Sequence, residues 1–289
     1  MDSNRDSALI YFHIGLGKAA STYLQKKVFP HLQGIFYVHR NRFRQRHRIM
    51  ARNSGDKFLL SREAGSNFEN RLRRAAESDP QARIIIVLRQ HRSLLASQYR
   101  RYVKNGGALP FSQYVDVEGD SGVWTSEDVF YLPKLRLIER YFGHRPLVLF
   151  YEDLRADAYG FVDELCTHLG TSYDRKSISL DAYHTSYSEK QLILMRRFGS
   201  ALLKRWPQQT RSGGFANWIN RRCRLHVCHL LLFLFRLVPQ PVVRRLVESA
   251  PLISNADLNR IDSHCATDWK QCREYARQGG VWAVVKSTK

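Results

Sequence analysis

The stretch Ala8-Leu-Ile-Tyr-Phe-His-Ile-Gly-Leu-Gly-Lys-Ala-Ala-Ser-Thr22 decides the fold of this chain. Its first seven residues are rich in bulky apolar and aromatic side chains, which predicts a buried strand. The Gly-Leu-Gly that follows predicts a tight loop, and residues 22–28 predict the start of a helix. A strand, a short loop and a helix in this order begin a βαβ unit.

Further apolar runs alternate with helical patterns in the next part of the chain. This alternation predicts an α/β fold with a P-loop-NTPase-like parallel sheet of about five strands, flanked by helices and joined by right-handed crossovers. Residues 84–88 form a continuous apolar run, as expected for a central strand covered on both faces. After the first strand, the predicted strands are residues 34–38, 57–61, 83–88 (which contains this apolar run) and 146–151. The predicted helices are residues 67–77, 93–104 and 156–169.

The C-terminal third of the chain has a different pattern. The strand signals end near residue 180, and residues 188–206, 218–237 and 256–277 predict helices. Residues 208–214 have the composition of a linker. We expect a single domain over residues 1–289, with an α/β core in residues 8–180 and a helical part in residues 181–289.

The chain is strongly basic. Its 289 residues contain 46 Lys and Arg against 26 Asp and Glu, a formal net charge of +20, and 34 of the basic residues are Arg. Because guanidinium binds phosphate and sulfate through a planar pair of donors, this composition favours an anionic ligand. Nucleic acid, an acidic polysaccharide, an anionic membrane and a nucleotide are all compatible with it.

Cysteine usage and the N-terminal residues favour an intracellular protein. The five cysteines are an odd number and lack zinc spacing, which favours a reduced chain. The polar residues 1–7 do not form a secretory signal, and the apolar run 230–235 is far shorter than the roughly 18 residues of a membrane span. We expect a soluble, cytoplasmic protein.

The first loop has the composition of an anion-binding site. Small residues between a strand and a helix leave backbone N–H groups accessible, and Lys18 adds a positive charge. An ATP-type P-loop requires GxxxxGK[ST]. Here Phe12 stands five positions before Gly17, and Ala19 follows Lys18, so the magnesium-binding hydroxyl is missing. This disfavours a kinase or an ATPase.

The loop instead resembles the 5′-phosphosulfate loop of the sulfotransferases, commonly K-[TA]-[GA]-[ST]-[ST]. Lys18-Ala-Ala-Ser-Thr22 fits this pattern without a gap, and the Tyr-Leu-Gln that follows is usual in bacterial members. The resemblance implies 3′-phosphoadenosine 5′-phosphosulfate (PAPS) as the sulfate donor, with no metal. An ordinary βα turn with a solvated lysine is the alternative. The donor-binding residues implied here are Gly17, Lys18, Ala19, Ala20, Ser21 and Thr22.

A second motif of the family follows the predicted strand 83–88. Sulfotransferases hold the 3′-phosphate of PAPS with an Arg that ends a strand and a Ser eight residues later. Arg89 and Ser97 have this spacing, which implies that they bind the 3′-phosphate. Many members carry a proline soon after the Arg, whereas this chain has Gln90-His-Arg92.

A third segment, residues 147–154, is similar to a segment of the family in which a strand is followed by Glu-Asp-Leu and a helix. We expect Glu152 and Asp153 to turn and cap the chain before the next helix. The resemblance covers residues 8–170 and is weaker beyond them.

Sulfuryl transfer needs a base for the acceptor proton and a cation for the developing charge. Lys18 is expected to stabilise the leaving phosphate. Glu63 is expected to be the base, because it follows an apolar strand at the edge where α/β sheets bind ligands, and many glycan and tyrosine sulfotransferases use a Glu. The alternative is that Glu63 pairs with Arg62 or caps a helix. We expect His13 in the core or behind the acceptor, although other branches use a His as base.

A run of arginines without an acid lies at residues 40–52. It is either a solvated face or a rim that binds a polyanionic acceptor beside the active site. Nucleic-acid binding is a third interpretation, but no helix-turn-helix, RRM or finger pattern accompanies the run. The residues predicted to contact the acceptor are Arg42, Arg44, Arg46 and His13.

Residues 221–237 begin with arginines and continue with an unusually apolar run. A packed core helix is one interpretation. An interfacial helix that touches an anionic membrane is the other, and it would suit a lipid-linked acceptor.

Together, these features predict a cytoplasmic, bacterial, PAPS-dependent sulfotransferase. Its acceptor would be a hydroxyl or amine of an anionic glycan or glycolipid. A tyrosine or small-molecule sulfotransferase is the nearest alternative, and a P-loop nucleotide kinase or a nucleic-acid-binding protein is more remote. The identity of the acceptor and the oligomeric state stay open.

Overall fold

The structure, a computed structural model, describes residues 8–53, 55–64, 67–180, 187–203, 215–246 and 251–278. The linker predicted at residues 208–214 lies outside the described residues. The strands are β1 (Leu9–His13), β2 (Leu32–Gln33), β3 (Phe36–Val38), β4 (Lys57–Ser61), β5 (Arg83–Leu88), β6 (Leu147–Phe150) and β7 (Ser172–Tyr173).

Helices follow most of the strands and make up the C-terminal region. Short π-helical turns (Leu24–Val28, Met195–Gly199) and 3₁₀ turns (Phe29–His31, Arg40–Gln45, Arg175–Ser177) supplement the α-helices. The α-helices are α1 (Ser21–Tyr23), α2 (Arg46–Arg52), α3 (Phe68–Ser78), α4 (His91–Lys104), α5 (Phe111–Tyr114), α6 (Ser126–Val129), α7 (Leu132–Phe142), α8 (Tyr151–Ala156), α9 (Ala158–Leu169), α10 (Glu189–Leu194), α11 (Ser200–Leu202), α12 (Phe215–Leu237), α13 (Gln240–Leu246) and α14 (Asn255–Gln278).

The main sheet has five parallel strands in the order β3-β4-β1-β5-β6. β1 lies at its centre, and His13 at the carboxyl end of β1 is paired with Ser61 of β4 and Ile85 of β5. The predicted α/β class, with its parallel sheet, helices and helical C-terminal region, is confirmed. Parallel strands end at a common edge, so the segments after β1, β4 and β5 meet there.

Both faces of the sheet are buried, which explains the continuous apolar runs. On one face, Tyr11, Ile85 and Leu149 belong to a core that includes Phe161 and Leu165 of α9. The strand residues between them, which point to the other face, are also buried. They include Phe12, Phe58, Leu60, Ile84 and Ile86.

The described residues belong to two compact units. The first contains the sheet and is drawn from Met1–Gln90, Phe130–Tyr183 and Cys265–Lys289. The second is drawn from His91–Val129 and His184–His264. The single domain expected over the whole chain stays a prediction.

Two features of the fold were not predicted. β2 and β7 form an antiparallel pair apart from the main sheet. Residues 40–45 form a 3₁₀ turn that runs directly into α2, so the arginine run is not one α-helix. Among the described helices, none is long and apolar enough to cross a membrane.

Candidate functional site

The loop after β1 is held at the carboxyl edge of the sheet by hydrogen bonds to β5. The Ile14 N–H donates to the Ile85 carbonyl at 3.0 Å, and the Leu16 N–H donates to the Val87 carbonyl at 3.1 Å. The Val87 N–H donates back to the Gly15 carbonyl at 2.7 Å. These bonds fix the start of the loop at the place where α/β sheets bind ligands.

The remainder of the loop has an unusual backbone conformation. Lys18 has a φ of 72° and Ala20 a φ of 61°, so two non-glycine residues are left-handed within three positions. Each such residue costs about 1–2 kcal/mol. Left-handed residues beside a helical residue turn successive N–H groups toward one side, which is the geometry of an anion-binding nest. Strain of this kind concentrates at functional sites.

The hydroxyl of Ser21 stabilises this loop from within. Ser21 is buried, and its Oγ donates to the Leu16 carbonyl at 2.8 Å. The Ala19 N–H donates to the same carbonyl at 3.2 Å, and the Ala19 side chain is in the core. Ser21 and Ala19 therefore shape the loop, whereas Lys18 is exposed and Thr22 is half-buried. Direct contact of Ser21 or Thr22 with a donor stays a prediction.

Arg89 connects the end of β5 to this loop. Its Nη1 donates to the Lys18 carbonyl at 2.9 Å, and its Cζ lies 4.2 Å from the centre of the Tyr151 ring. The Tyr131 hydroxyl donates to the Arg89 carbonyl at 2.6 Å. Burial lowers the pKa of the Arg89 guanidinium, which nevertheless stays charged near neutral pH. A half-buried cation next to the nest strengthens the attraction for an anion.

The segment after β4 places Glu63 beside the same loop. The Arg62 N–H donates to the His13 carbonyl at 3.0 Å and the Ala64 N–H to the Ile14 carbonyl at 2.8 Å, so this segment continues alongside β1. A Cβ atom added at Gly17 would lie 3.3 Å from Glu63 Oε2. The carboxylate of Glu63 therefore occupies the space that a side chain at position 17 would need.

Gly15 also lies against Glu63. Its φ is +110°, a conformation that side chains disfavour, and an added Cβ would lie 3.5 Å from Glu63 Cα. The structure thus brings together Gly17, Lys18, Glu63 and Arg89.

Ser97 belongs to a different part of the structure. It is half-buried on α4, within the second unit, whereas Arg89 belongs to the first. The shared 3′-phosphate contact of Arg89 and Ser97 stays a prediction.

The predicted acceptor residue Arg46 is committed to a structural contact. Its Nε lies 3.1 Å from Asp79 Oδ2, with only 14% and 2% of the two side chains exposed. Its Nη2 donates to Ser78 Oγ, and its Cζ lies 4.5 Å from the centre of the Phe43 ring. Arg46 therefore attaches the arginine run to the end of α3, and we remove it from the acceptor side. Arg42 and Arg44 are exposed.

Replacing Arg46 by Met will destabilise the fold by about 3 kcal/mol, because it leaves the buried Asp79 carboxylate without its closest cation. Arg44→Met is the matched control, and its effect should be within about 0.5 kcal/mol, since Arg44 is exposed. Urea unfolding of both variants measures the difference. Equal unfolding midpoints would show that the Asp79 contact contributes nothing.

Two further arginines lie next to Glu63. The sequence analysis considered Arg62 only as a partner of Glu63, and it missed Arg71. The Arg62 Cζ lies 5.0 Å from the centre of the Phe43 ring, on which Arg46 also packs. Arg71 Nη1 donates to the Glu63 carbonyl at 3.0 Å. Burial, together with the charges of Arg71, Arg44 and Arg46, lowers the pKa of Arg62. Arg44, Arg62 and Arg71 thus form a cationic cluster beside Glu63. Adjacency of Arg62 to Glu63 was the available signal, and nothing local indicated Arg71.

His13 lies in the core and not on an acceptor surface. It is completely buried, and its Nδ1 lies 2.9 Å from Ser61 Oγ, which also accepts a hydrogen bond from Gln25 Nε2 at 2.9 Å. Arg40 Nη1 donates to Gln25 Oε1 at 3.4 Å. Burial lowers the pKa of His13 to about 3, so the imidazole is neutral in the folded protein. His13 therefore supports the edge of the sheet, and we remove it from the acceptor side.

The stability of the fold will decrease in acid because of His13. The imidazole has an ordinary pKa of 6.5, so below this pH the unfolded chain binds a proton that the folded chain rejects until about pH 3. The contribution is fully present above pH 6.5 and is lost as the pH falls toward 3, by up to about 1.4 kcal/mol per pH unit.

Urea unfolding over this pH range checks the prediction with His13→Gln, which cannot titrate. The stability of the variant should depend less on pH, whereas exposed His31→Gln should retain the pH dependence of the parent. Parallel pH curves for the parent and His13→Gln would contradict the prediction.

Glu152 and Asp153 do not cap the helix that they begin, contrary to expectation. The cap position of α8 is Phe150, which makes no side-chain cap, and both carboxylates lie in the first turn. Glu152 Oε1 accepts from the Gln90 N–H at 2.9 Å. Asp153 binds the Arg273 guanidinium through both oxygens, at 3.0 Å for Oδ2 and 3.2 Å for Oδ1. Glu152 thus holds the residue that follows Arg89, and Asp153 holds α14.

Comparisons with known proteins find distant likeness. Among the described residues, no group of three or more His, Cys, Asp and Glu side chains is placed to hold a metal ion. No protein-family model matches the chain, and no curated protein matches it. The crystal structure of a sulfotransferase from Alicyclobacillus acidocaldarius is 15% identical, covers 73% of this chain and 98% of that chain, and has a TM-score of 0.49. Mouse sulfotransferase SULT7A1, complexed with PAP, is 12% identical, covers 93% of this chain and 89% of that chain, and has a TM-score of 0.43. Likeness at this distance assigns no activity to this chain, so a functional assignment depends on the residues of the site.

Proposed function

We propose that this chain is a PAPS-dependent sulfotransferase that acts on a hydroxyl or amine of an anionic glycan or glycolipid. One observation carries the proposal. The loop that resembles a 5′-phosphosulfate loop is strained into an anion-binding shape, and the Glu63 carboxylate lies against its Gly17. An anion-binding loop next to a candidate base is what transfer from an anionic donor requires.

The donor side of the site fits a phosphosulfate. The nest at Lys18 and Ala20 offers backbone N–H groups, and Lys18 and Arg89 offer positive charge. PAPS supplies an activated sulfuryl group. Arg89 and Ser97 would hold its 3′-phosphate, and Lys18 would stabilise the charge on the leaving phosphate oxygen.

The transfer step is a displacement at sulfur. The acceptor O–H gives its proton to the Glu63 carboxylate as the new O–S bond forms. The bond between sulfur and the bridging phosphate oxygen breaks, and adenosine 3′,5′-diphosphate leaves with the electron pair. Glu63 then releases the proton to solvent.

The acceptor side of the site favours an acid. Arg44, Arg62 and Arg71 form a cluster beside Glu63. Carboxylate or sulfate groups on a glycan would be attracted to this cluster and would lie close to the base. A tyrosine or a small-molecule acceptor carries fewer negatively charged groups for these arginines to bind.

Ligand-induced stabilisation tests the proposal against its alternatives. Adenosine 3′,5′-diphosphate should raise the melting temperature without a metal, whereas ATP with magnesium and an oligonucleotide should raise it less. A larger shift with magnesium-ATP would favour a kinase, and a larger shift with the oligonucleotide would favour a nucleic-acid-binding protein. A screen with radiolabelled PAPS against acidic glycans, neutral glycans, glycolipids, tyrosine peptides and phenols then identifies the acceptor.

The acceptor KM should rise with salt, while the KM for PAPS changes less, because screening weakens exposed charge contacts. Replacing both Arg44 and Arg62 by Ser should raise the acceptor KM about tenfold at low salt and flatten its salt dependence. The matched control replaces both Arg48 and Arg52, which are exposed on α2, and should keep most of the salt response. An unchanged acceptor KM in the first variant would leave the cluster as a solvated face.

A further inference from the structure

Within the part of the chain that the structure describes, helix α12 is packed along one side. Cys228 and Leu232 are buried, with 1% and 0% of their surface exposed, and the Leu232 carbonyl accepts a hydrogen bond from Gln191 Nε2 at 2.8 Å. Other large apolar side chains of the same helix are in solvent. The exposed fractions are 58% for Leu230, 57% for Phe233, 47% for Leu234 and 66% for Leu237.

The exposed side chains share one face of the helix. Positions 230, 233 and 237 follow each other at three or four residues, so they lie above one another, and Leu234 lies beside them. The same spacing continues toward the N-terminus through His226 and Arg222, which are also exposed. Val242 of α13, which follows α12 in the chain, is 42% exposed. In the first half of the helix this face carries Arg222 and His226 next to Ile219, which is 39% exposed, and in its second half it is mainly apolar.

Charge determines which partner fits this face. α12 and α13 contain no Asp or Glu, and exposed Arg222, Arg236 and Arg245 lie on them. A second copy of the chain, with its own formal charge of +20, would bring like charges to the same surface. An anionic lipid surface offers headgroups for the arginines and hydrocarbon for the leucines and the phenylalanine.

We propose that the exposed face of α12 binds the surface of an anionic lipid bilayer, with the helix lying in the plane of the interface. Leu230, Phe233, Leu234 and Leu237 enter the boundary of the acyl chains, and Arg222 and Arg236 contact the headgroups. This inference is independent of the proposed function, because none of these residues takes part in the transfer step.

Vesicle sedimentation with the full chain tests the inference. The probes are vesicles of phosphatidylcholine alone and of phosphatidylcholine mixed with an equal amount of phosphatidylglycerol. We expect binding to the mixed vesicles, with loss of binding as salt increases. Replacing both Phe233 and Leu237 by Ser should lower the partition coefficient at least about tenfold. Both side chains are exposed, so circular dichroism and melting should match those of the parent.

Matched controls separate the face from general properties of the chain. Replacing Val123 and Leu180, which are 53% and 47% exposed elsewhere, by Ser should leave vesicle binding unchanged. Replacing Arg222 and Arg236 by Gln should weaken binding roughly fivefold for each side chain. The same change at exposed Arg136 and Arg140 of α7 removes equal charge and should weaken binding less.

Three results would overturn the inference. The first is a parent chain that fails to bind the mixed vesicles. The second is a variant without Phe233 and Leu237 that binds them as well as the parent, which would indicate electrostatic attraction alone. In the third case, sedimentation velocity shows a dimer of the parent that these two replacements convert to a monomer, without vesicle binding. The occupant of the face would then be a second copy of the chain.

Discussion

Replacing Glu63 by Gln will lower turnover by about 10²–10⁴-fold while the affinity for adenosine 3′,5′-diphosphate stays near that of the parent. Gln preserves the shape of the side chain beside Gly17 but cannot accept the acceptor proton. The loss therefore falls on the chemical step and not on donor binding. Steady-state kinetics with the acceptor from the screen, together with calorimetric titration of the nucleotide, measure the two quantities separately.

The pH profile adds an independent observation. The acidic limb of the parent's rate profile should disappear in Glu63→Gln, because the group that must lose its proton is gone. Glu77→Gln is the matched control, since Glu77 is an exposed carboxylate that pairs with Arg73 on α3. It should keep both the rate and the limb. If Glu63→Gln turns over like the parent with its acidic limb intact, the base lies elsewhere.

Lys18→Ala should fail in a different way. Lys18 is expected to face both the bound phosphosulfate and the charge that develops on the leaving oxygen. Its loss should therefore weaken donor binding and slow the chemical step together. A variant with normal nucleotide affinity and normal turnover would remove Lys18 from the site.

Replacing Arg89 by Ala will abolish the preference for adenosine 3′,5′-diphosphate over 5′-AMP. Loss of one partner of a desolvated, charge-assisted contact costs about 2–5 kcal/mol, which corresponds to roughly 30- to 5,000-fold in affinity. The reason lies in the position of Arg89, which is half-buried at the Lys18 carbonyl and above the Tyr151 ring. Calorimetric titrations of the parent and the variant with both nucleotides provide the comparison.

Arg89 also supports the loop, so its removal needs controls. Arg83→Ala removes an arginine from the opposite end of β5, where Arg83 Nη1 donates to the Tyr11 hydroxyl at 3.5 Å. This variant should keep the preference for the 3′-phosphate. Ser97→Ala leaves the loop untouched and should reduce the preference about tenfold if its hydroxyl meets the phosphate. Equal affinity of the parent for both nucleotides would reject the 3′-phosphate assignment of Arg89 and Ser97.

Local sequence predicted the strands of the site well. β4 and β5 have the predicted bounds, because continuous apolar runs end where the polar Ser-Arg-Glu and Arg-Gln segments begin. The positions of Lys18 and Glu63 at the same edge follow from parallel pairing of β1 with β4. The sequence pattern was therefore sufficient to predict that Glu63, the proposed base, lies beside the loop.

Contacts between distant segments could not be predicted in this way. Arg46 and Asp79 belong to segments whose approach depends on how α3 packs, so the arginine run looked uniform in the sequence. The pairing of Leu32 with Tyr173 joins short segments with no local signal. Likewise, the pattern of residues 221–237 left a packed core helix and an interfacial helix both open, and it did not show which side chains of α12 would be covered. In each case the three-dimensional packing, and not the local preference, selects the partner.

Because Gly17 has no side chain, the Glu63 carboxylate can lie against the loop. A substitution at position 17 would therefore also affect Glu63, which is distant in the sequence. An Ala there would press on a carboxylate oxygen at 3.3 Å, and that oxygen is the end of a flexible side chain. The chain would relieve the overlap by moving the carboxylate a few tenths of an ångström, with the loop intact. Position 17 therefore adjusts the position of the Glu63 carboxylate, the proposed base, by a few tenths of an ångström. A change of acceptor is therefore better sought at position 17 with Glu63 retained, because replacing Glu63 would remove the proposed base.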